Sequence, residues 1–466
     1  MRIAFVSGNR EKLPDAVIPL GLLYLMASTP DRHEKVLIDL CFEPDPTQAL
    51  RDRLADFRPD LVALGMRNIQ KNDYSGIHDT LAYYADLLAA VRTATDAPIV
   101  LGGGGFSVMP RELMARLRPD FGIPGEGERA FPQLVEALEG GFDLGRVGSL
   151  LRFEGANLVA NPPESRFLDM NGLPVPDRRL VDRRYYERWG IDSVQTKRGC
   201  PLRCDYCTYP IIEGRVGRAR DPSAVVDEMF RALDEQPATR HFFVVDSVFN
   251  LPKTHAKNVC RELVARGWQL PWTCYANPLG FDPEMAELAK AAGCAGMEIG
   301  SDSGCDEVLE NLRKGFDVEQ IRQLHRMCQA VGIPDCHTFI LGTRGESLDH
   351  VRRTLDFVVD LDPFAAILMI WVDDYEALDP DLRRERMKLR DRIHEIVLER
   401  KGQHPHWIVP PLGINFDTNL FRRLRRGGLH GPLWQHIRGP GGSSASERAV
   451  APGRSRSAGS TEIATS

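Results

Sequence analysis

The sequence has no run of about eighteen consecutive apolar residues, which is the length a membrane-spanning helix needs. Its N-terminal segment, MRIAFVSGNREKL, is too short and too charged for the hydrophobic region of a signal peptide. It also lacks a basic excess, because 59 Lys and Arg stand against 65 Asp and Glu, for a net charge of -6. We therefore expect a cytoplasmic protein with no membrane partner and no nucleic-acid partner.

Cysteine is too sparse for a disulfide framework, with ten residues in a chain of 466. A reducing cytoplasm would keep these residues as thiols. Most of them lie in apolar or helical patterns, where a free cysteine behaves as a small hydrophobic residue. These scattered cysteines are Cys41, Cys260, Cys274, Cys294, Cys305, Cys328 and Cys336. The other three fall within eight residues and need a different explanation.

The first part of the chain alternates strand-like apolar runs with amphipathic helical stretches, which predicts an α/β domain with a parallel sheet. The runs RIAFVS, KVLIDL, DLVALGM and PIVLGGGG carry this pattern. We predict a Rossmann-like domain over residues 1–145. A Pro-rich segment without periodicity, NPPESRFLDMNGLPVPDRRL, indicates a linker over residues 146–185.

A second alternating series extends over residues 186–375 and contains six strand-helix repeats. Six repeats predict a (β/α)₆ partial TIM barrel, whose site should lie at the carboxyl ends of the strands. Residues 376–437 begin with a charged helix and become irregular, and we expect them to cover the open side of the barrel. Residues 438–466 are too polar to form a core, so we predict a disordered tail.

The segment TKRGCPLRCDYCTYP places Cys200, Cys204 and Cys207 in a C-x3-C-x2-C pattern directly after a predicted strand. Three thiolates this close can each bind one iron of a 4Fe-4S cluster and leave the fourth iron open. An open iron can bind the amino and carboxylate groups of S-adenosylmethionine (SAM). A zinc site would need a fourth Cys or His at suitable spacing, and none follows nearby.

With the aromatic Tyr206 before its last cysteine, this motif resembles the signature of the radical SAM superfamily, and the resemblance covers much of residues 190–375. In that family the aromatic residue packs near the adenine of SAM. The resemblance implies roles for further residues. These are the ribose and methionine contacts Glu298 and Ser301, the adenine-holding Gly342 and Glu346, and the methionine-amino contact Asp246.

Two of these assignments have a structural alternative, since a carboxylate at a strand end is as often a cap or an ion-pair partner as a ligand. This applies to Asp246 and Glu298. The stretch around Asp246 also lacks the Gly-Gly-Glu form of the family motif.

Four consecutive glycines, Gly102, Gly103, Gly104 and Gly105, end a predicted strand and permit close approach of the backbone to a flat ligand or a phosphate. Together with the later DFGIPGEGERAF, which contains Gly125, they resemble the end of a cobalamin-binding Rossmann-type domain. This resemblance covers most of residues 1–140.

The D-x-H-x-x-G motif of domains that bind cobalt through histidine is absent. Bound cobalamin would therefore lack a histidine ligand. In the similar tryptophan C-methyltransferases an arginine lies beneath cobalt, which makes Arg67 the candidate here. The alternative is an arginine that forms a surface ion pair, with no cobalamin bound.

These resemblances imply a radical SAM enzyme that cleaves SAM to a 5'-deoxyadenosyl radical and modifies a small-molecule natural product. They favour cobalamin-assisted C-methylation in antibiotic biosynthesis, with an electron donor such as flavodoxin or ferredoxin.

The alternative is radical dehydration of an aminoglycoside or sugar, with Asp373, Asp374 and Tyr375 facing the substrate rather than capping the next helix. A third hypothesis is a non-catalytic iron-sulfur protein, which would need a fourth protein ligand to the cluster.

Overall fold

A computed structural model describes residues 1–12, 15–69, 76–163, 167–372, 378–409 and 429–438. Asp373, Asp374 and Tyr375, together with nearly all of the predicted tail, lie outside these described residues. The described chain forms two seven-stranded sheets, one in each half, and a two-stranded ribbon that follows the first strand of the second sheet.

The first sheet belongs to the N-terminal domain, and its core consists of near-continuous apolar strands covered by helices on both faces. Its strands are β1 (Arg2–Ser7), β2 (Glu34–Asp39), β3 (Leu61–Gly65), β4 (Ile99–Gly102), β5 (Phe121–Ile123), β6 (Leu151–Glu154) and β7 (Asn157–Ala160). The helices are α1 (Leu20–Ser28), α2 (Pro46–Phe57), α3 (Gly76–Ala94), α4 (Gly104–Val108), α5 (Pro110–Leu117) and α6 (Gly127–Leu138).

The spatial order is β2-β1-β3-β4-β5-β6-β7. The first five strands are parallel, so the loops at their carboxyl ends meet at one edge of the sheet. This confirms the Rossmann-like prediction. The last two strands form an antiparallel hairpin with its turn at Gly155, which has a positive φ of 63°.

That hairpin lies within the segment predicted as a linker, so the linker assignment was wrong for residues 151–160. Leu151 is buried in the core of the first sheet. The connection between the two large sheets contains three-residue 3-10 helices at Met170–Gly172 and Arg178–Leu180.

The second half begins with α7 (Arg184–Arg188) and β8 (Ile191–Val194), followed by the ribbon strands β9 (Lys197–Arg198) and β10 (Arg218–Ala219). The remaining strands are β11 (His241–Val244), β12 (Trp272–Ala276), β13 (Cys294–Asp302), β14 (Asp335–Leu341), β15 (Ala365–Ile370) and β16 (Trp407–Ile408). The helices are α8 (Tyr209–Glu213), α9 (Pro222–Glu235), α10 (Lys253–Ala265), α11 (Pro283–Ala291), α12 (Asp306–Asn311), α13 (Val318–Val331), α14 (Leu348–Leu361) and α15 (Pro380–Lys401).

The second sheet is parallel throughout, in the order β16-β15-β14-β13-β12-β11-β8. The six predicted strands are all present, and the partial barrel is confirmed. The short strand β16, which was not predicted from the sequence, comes from the C-terminal region and extends the sheet by one strand.

Strand alternation divides the barrel into an outer and an inner face. Met297 and Ile299 of β13 pack into the core beneath the surrounding helices, as do Cys274 and Ala276 of β12. The residues between them, such as Glu298 and Tyr275, therefore point into the barrel. In the ranges described above, no helix is long and apolar enough to cross a membrane.

Candidate functional site

The three clustered cysteines lie on the loop that leaves β9 at the mouth of the barrel. Cys200 is buried, Cys204 and Cys207 are half-buried, and all three are free thiols. Burial raises the pKa of Cys204 and Cys207, and the neighbouring thiols raise both further, so the three sulfurs lie close together. Three adjacent thiols without a disulfide are the donor set that a 4Fe-4S cluster with one open iron requires.

Tyr206, between two of these cysteines, is held by a buried ion pair at the carboxyl end of β13. Its hydroxyl donates to Asp302 Oδ2 at 2.5 Å, and Lys314 Nζ lies 2.5 Å from the same oxygen. Lys314 Nζ also donates to the Tyr206 hydroxyl at 3.1 Å. Asp302 and Lys314 are 2% and 4% exposed, so neither charge is compensated by water. We call these three residues the tyrosine clamp.

The cation of the clamp also acts on the cluster loop. Lys314 opposes the burial that raises the pKa of Cys204 and Cys207, because its positive charge favours their thiolate forms. Lys314 therefore favours the thiolate, which is the form of cysteine that binds iron. Neither Lys314 nor Asp302 was predicted from the sequence.

Asp246 is completely buried, and its carboxylate accepts hydrogen bonds from the backbone N–H groups of Thr196 and Lys197 and from the Thr196 hydroxyl. These residues connect β8 to β9 and thus lead into the cysteine loop. Because no surface of Asp246 is exposed, its carboxylate is not available for the predicted contact with the amino group of SAM. Asp246 instead holds the chain that positions the loop.

Ser301 lies on the outer face of the barrel rather than in the site. It is fully buried, and its hydroxyl is 2.7 Å from His337 Nδ1. His337 in turn contacts Asp335, which also binds His325 of α13. This polar group lies between the sheet and its helices, so the structure does not bring Ser301 together with the other predicted residues.

Gly342 and Glu346 meet in the loop after β14. The Glu346 carboxylate accepts from the backbone N–H groups of Gly342 and Thr343, at 2.7 and 2.9 Å. Gly342 has a positive φ of 83°, which the turn requires. Glu346 thus fixes the shape of this loop, and its predicted role with Gly342 in holding adenine stays a prediction.

Glu298 lies deeper in the barrel, four residues before the end of β13 and thus about 13 Å below the clamp. Trp434, in the C-terminal 3-10 helix Leu433–His436, donates its indole N–H to Glu298 Oε1 at 2.9 Å. Burial raises the pKa of Glu298 to about 7, against the opposing effect of this hydrogen bond. At neutral pH the group is therefore close to half ionised.

Glycine at position 296 makes room for Trp434. A Cβ atom there would lie 2.4 Å from the Trp434 ring. The indole consequently closes the bottom of the barrel and leaves its N–H directed at Glu298. The expectation that the C-terminal region covers the open side of the barrel stays a prediction, because residues 410–428 lie outside the described ranges.

A cavity of about 370 Å³ lies where the parallel strands of the first sheet end. Gly65, Gly102, Gly103 and Gly125 line it from the N-terminal domain, and residues of the second half, such as Ile212 of α8, close it from the other side. Both halves of the chain therefore contribute to one cavity.

The glycines permit close packing there. A Cβ on Gly103, whose φ is 101°, would lie 2.6 Å from the backbone oxygen of Met66, and one on Gly105 would lie 2.7 Å from the carbonyl carbon of Asn68. Position 104 approaches the Ile212 side chain of α8, with 3.7 Å from a Cβ there to the nearest methyl group. The glycine loop thus contacts the helix that directly follows the cysteine loop.

Arg67 follows β3 and lines the same cavity. Burial raises the pKa of Tyr209 and Tyr275, and the positive charge of Arg67 partly opposes this rise. The Arg67 guanidinium therefore lies near both phenol groups. Since Tyr275 faces the interior of the barrel, the cavity and the barrel interior adjoin at Arg67. Among the described residues that line the cavity, none is a histidine. Arg67 provides a positive charge on the side of the cavity that adjoins the barrel interior.

Ion pairs hold the two halves together beside the cavity. Arg198 of β9 binds Glu126 and Glu128 at the start of α6, at 3.2 and 2.5 Å, and Arg218 of β10 also binds Glu126, at 2.8 Å. The ribbon that precedes and follows the cysteine loop is therefore anchored to the N-terminal domain.

A second buried network lies where the two domains and the connecting segment meet. Glu228 of α9 accepts from Arg178 of the connection at 2.7 Å, from Arg220 at 2.7 Å and from the Tyr24 hydroxyl of α1 at 3.0 Å. Arg178 also lies 3.6 Å from Asp192. Arg178, Glu228 and Asp192 have no exposed surface, so each charge depends on the others.

Fold and site together define a SAM-dependent radical enzyme with a second cofactor domain. Residues 194–358 match the family model described as "Radical SAM superfamily", and residues 7–135 match "B12 binding domain". Tryptophan 2-C-methyltransferase of Streptomyces laurentii is 30% identical over an alignment length of 426, and the match covers 77% of this chain and 70% of that protein. Cytidylyl-2-hydroxyethylphosphonate methyltransferase of Streptomyces wedmorensis is 25% identical over an alignment length of 410, and the match covers 75% of this chain and 74% of that protein.

Two solved structures support this family assignment or share the fold. The radical SAM methyltransferase TsrM of Kitasatospora setae, with cobalamin and a 4Fe-4S cluster bound, superimposes with a TM-score of 0.70 at 29% identity, covering 79% of this chain and 72% of that one. OxsB, a cobalamin-dependent SAM radical enzyme, shares the fold, with a TM-score of 0.64 at 18% identity over 92% of this chain and 62% of OxsB.

This chain belongs to the family of cobalamin-dependent radical SAM methyltransferases. It is an enzyme, and its cofactors are a 4Fe-4S cluster, SAM and cobalamin. The predicted family, fold and cofactors are thereby confirmed. The roles predicted for individual site residues stay predictions.

Proposed function

We propose that this enzyme methylates a carbon atom of a small-molecule natural product held inside the partial barrel. The observation that carries the proposal is the contact between the glycine loop and α8, because it brings the cobalamin-type cavity and the cysteine loop to one site. Both cofactors can then act on one substrate without leaving the protein.

Bound cobalamin supplies methyl-transfer chemistry, and the bound cluster with SAM supplies radical chemistry. The protein positions and shields them. The tyrosine clamp holds the cysteine loop against β13, and Arg198 holds the ribbon against α6. Arg67 offers a cation at the face where the cavity meets the barrel. These contacts exclude water and fix the distances between the reacting groups.

The inner wall of the barrel supports an aromatic substrate. The rings of Phe243 and Tyr275 meet edge to face at 5.1 Å, and Trp434 forms the bottom. The S. laurentii relative methylates tryptophan according to its name, and an aromatic amino acid or related compound fits these walls. The alternative of sugar dehydration would place Asp373, Asp374 and Tyr375 at the substrate, and these residues lie outside the described ranges.

We also propose that a reducing compartment, the cytoplasm, contains the enzyme, because all ten cysteines are free thiols. A flavodoxin or a ferredoxin would supply the electron that reduces the cluster. The net charge of -6 supports the expectation that nucleic acid is not a partner.

The test is transfer of a labelled methyl group. Protein reconstituted anaerobically with iron, sulfide and cobalamin is incubated with methyl-labelled SAM, a reductant and candidate aromatic amino acids or aminoglycosides. We expect label in the product only when cobalamin is present. Turnover that ignores cobalamin and yields 5'-deoxyadenosine with a dehydrated product would contradict methylation.

A matched pair of cysteine variants controls this experiment. Cys204→Ala should lose the visible absorbance of the cluster and all turnover. Cys260→Ala changes a buried cysteine in the core beneath the helices and should keep both. Equal cluster content in the two variants would exclude the proposed ligand set.

A further inference from the structure

Glu298 has no cationic partner in the part of the chain that the structure describes. Its one hydrogen bond there is the donation from Trp434 to Oε1. The second oxygen, Oε2, makes no such contact, although the side chain is half-buried within the barrel. A carboxyl group in this position needs a donor or a cation to compensate for the loss of water.

The surroundings of Glu298 are aromatic and apolar but incompletely filled. Tyr275 is its direct neighbour on β12 and is 36% exposed. A ring of this size on the inner face of a barrel is normally packed against other side chains. Its exposure indicates space for a ligand beside Glu298.

We infer that Glu298 binds a basic nitrogen of the substrate, so that the substrate class is aromatic or cyclic amines. Carboxylate beside aromatic faces is the combination that recognises an organic ammonium group, because the anion pairs with the charge and the rings attract it. The inference rests on the proposed function, since it names the substrate class of the same barrel.

Geometry separates this role from the SAM contact predicted for the same residue. The clamp ties the cysteine loop to the end of β13, whereas Glu298 lies about 13 Å closer to the bottom of the barrel. Trp434 holds the carboxylate through Oε1 and leaves Oε2 without a hydrogen bond among the described residues. SAM also carries an ammonium group, so the experiment must distinguish the two sources.

The test compares amines with alcohols of the same shape. Tryptamine and tryptophol form one pair, and phenethylamine and phenethyl alcohol form another. Binding to cluster- and cobalamin-loaded protein is measured by calorimetry with SAM present at saturation. We expect at least one amine to bind about tenfold or more tightly than its alcohol, as is typical of a hydrogen bond to a charged group.

Glu298→Gln should abolish this preference, while Glu310→Gln, a change at an exposed glutamate of α12, should preserve it. Trp434→Phe keeps an aromatic ring but removes the donor to Glu298. It should shift the pH at which amine affinity is half-maximal upward, an effect that misfolding alone would not produce.

Equal affinity for amines and alcohols in the unmodified protein would overturn the inference. So would a Glu298→Gln protein that loses SAM affinity but keeps its preference for amines, because Glu298 would then be a SAM contact. The result is independent of the methyl-transfer assay. Selective amine binding without methyl transfer would leave the amine site standing and refute the proposed function.

Discussion

Replacing Lys314 by methionine tests how the tyrosine clamp supports the cluster loop. Methionine has a similar length and keeps the apolar contacts of the lysine stem, but it removes the charge that Asp302 and Tyr206 share. Asp302 is 2% exposed, so its carboxylate would remain buried with only the tyrosine hydroxyl as a donor.

Loss of one partner of a buried ion pair costs roughly 3–5 kcal/mol, because the other charge stays desolvated. The second variant, Asp302→Asn with Lys314→Met, leaves no charge behind. Asparagine tolerates the positive φ of 63° at position 302, and its side-chain oxygen can still accept from Tyr206. We therefore expect the double variant to recover at least half of the loss.

The assay has two readouts, the denaturant midpoint of the apoprotein and the rate at which a chelator removes iron from the reconstituted cluster. Lys314→Met should lower the midpoint and release iron faster, because Tyr206 lies between two of the proposed cysteine ligands. The reasoning is refuted if this variant matches the unmodified protein in both readouts, or if the double variant is as impaired as the single one.

Three further changes test other parts of the structure. Arg178→Met should lower the free energy of unfolding by roughly 3–5 kcal/mol in denaturant titrations, whereas Arg179→Met, at a mostly exposed neighbour, should lower it far less. Gly103→Ala should reduce the amount of cobalamin retained after gel filtration, because the added Cβ would clash with the backbone. Gly172→Ala, at a position with open space around it, should leave the retained amount unchanged. Equal retention in the two variants would contradict the close packing at Gly103. The pKa of Glu298 is raised to about 7, so the ionised fraction of its carboxyl group increases as pH rises through 7. Amine affinity measured by calorimetry should therefore grow about tenfold from pH 6 to pH 8. An affinity that does not change with pH would contradict the role of Glu298.

The sequence predicted the strands that have long apolar patterns and missed those that do not. All six barrel strands and the first four parallel strands of the first sheet were recognised from their apolar runs, whereas the three-residue strand β5 was not. The hairpin at residues 151–160 and the two-residue strand β16 were not. Short strands acquire their structure from neighbours that are distant in sequence, which a local pattern does not report.

The same limit applies to the site. The cysteine motif is local and was recognised, but the contact between Tyr206 and Lys314 joins residues 108 positions apart. Ser301 was misplaced for a different reason. Its position in β13 has the same parity as Met297 and Ile299, so strand alternation alone assigns it to the helix-covered face.

The Glu228 network has a consequence for anyone who wishes to combine domains from different relatives. Arg178 comes from the connecting segment, Tyr24 from the N-terminal domain and Arg220 from the barrel, and all three bind one carboxylate. A chimera joined within the connection would have to inherit matching residues from three separate stretches, or it would enclose an unpaired charge at the joint. Exchange of the cobalamin domain is therefore a problem of matching a junction, and libraries of such hybrids should vary these positions together.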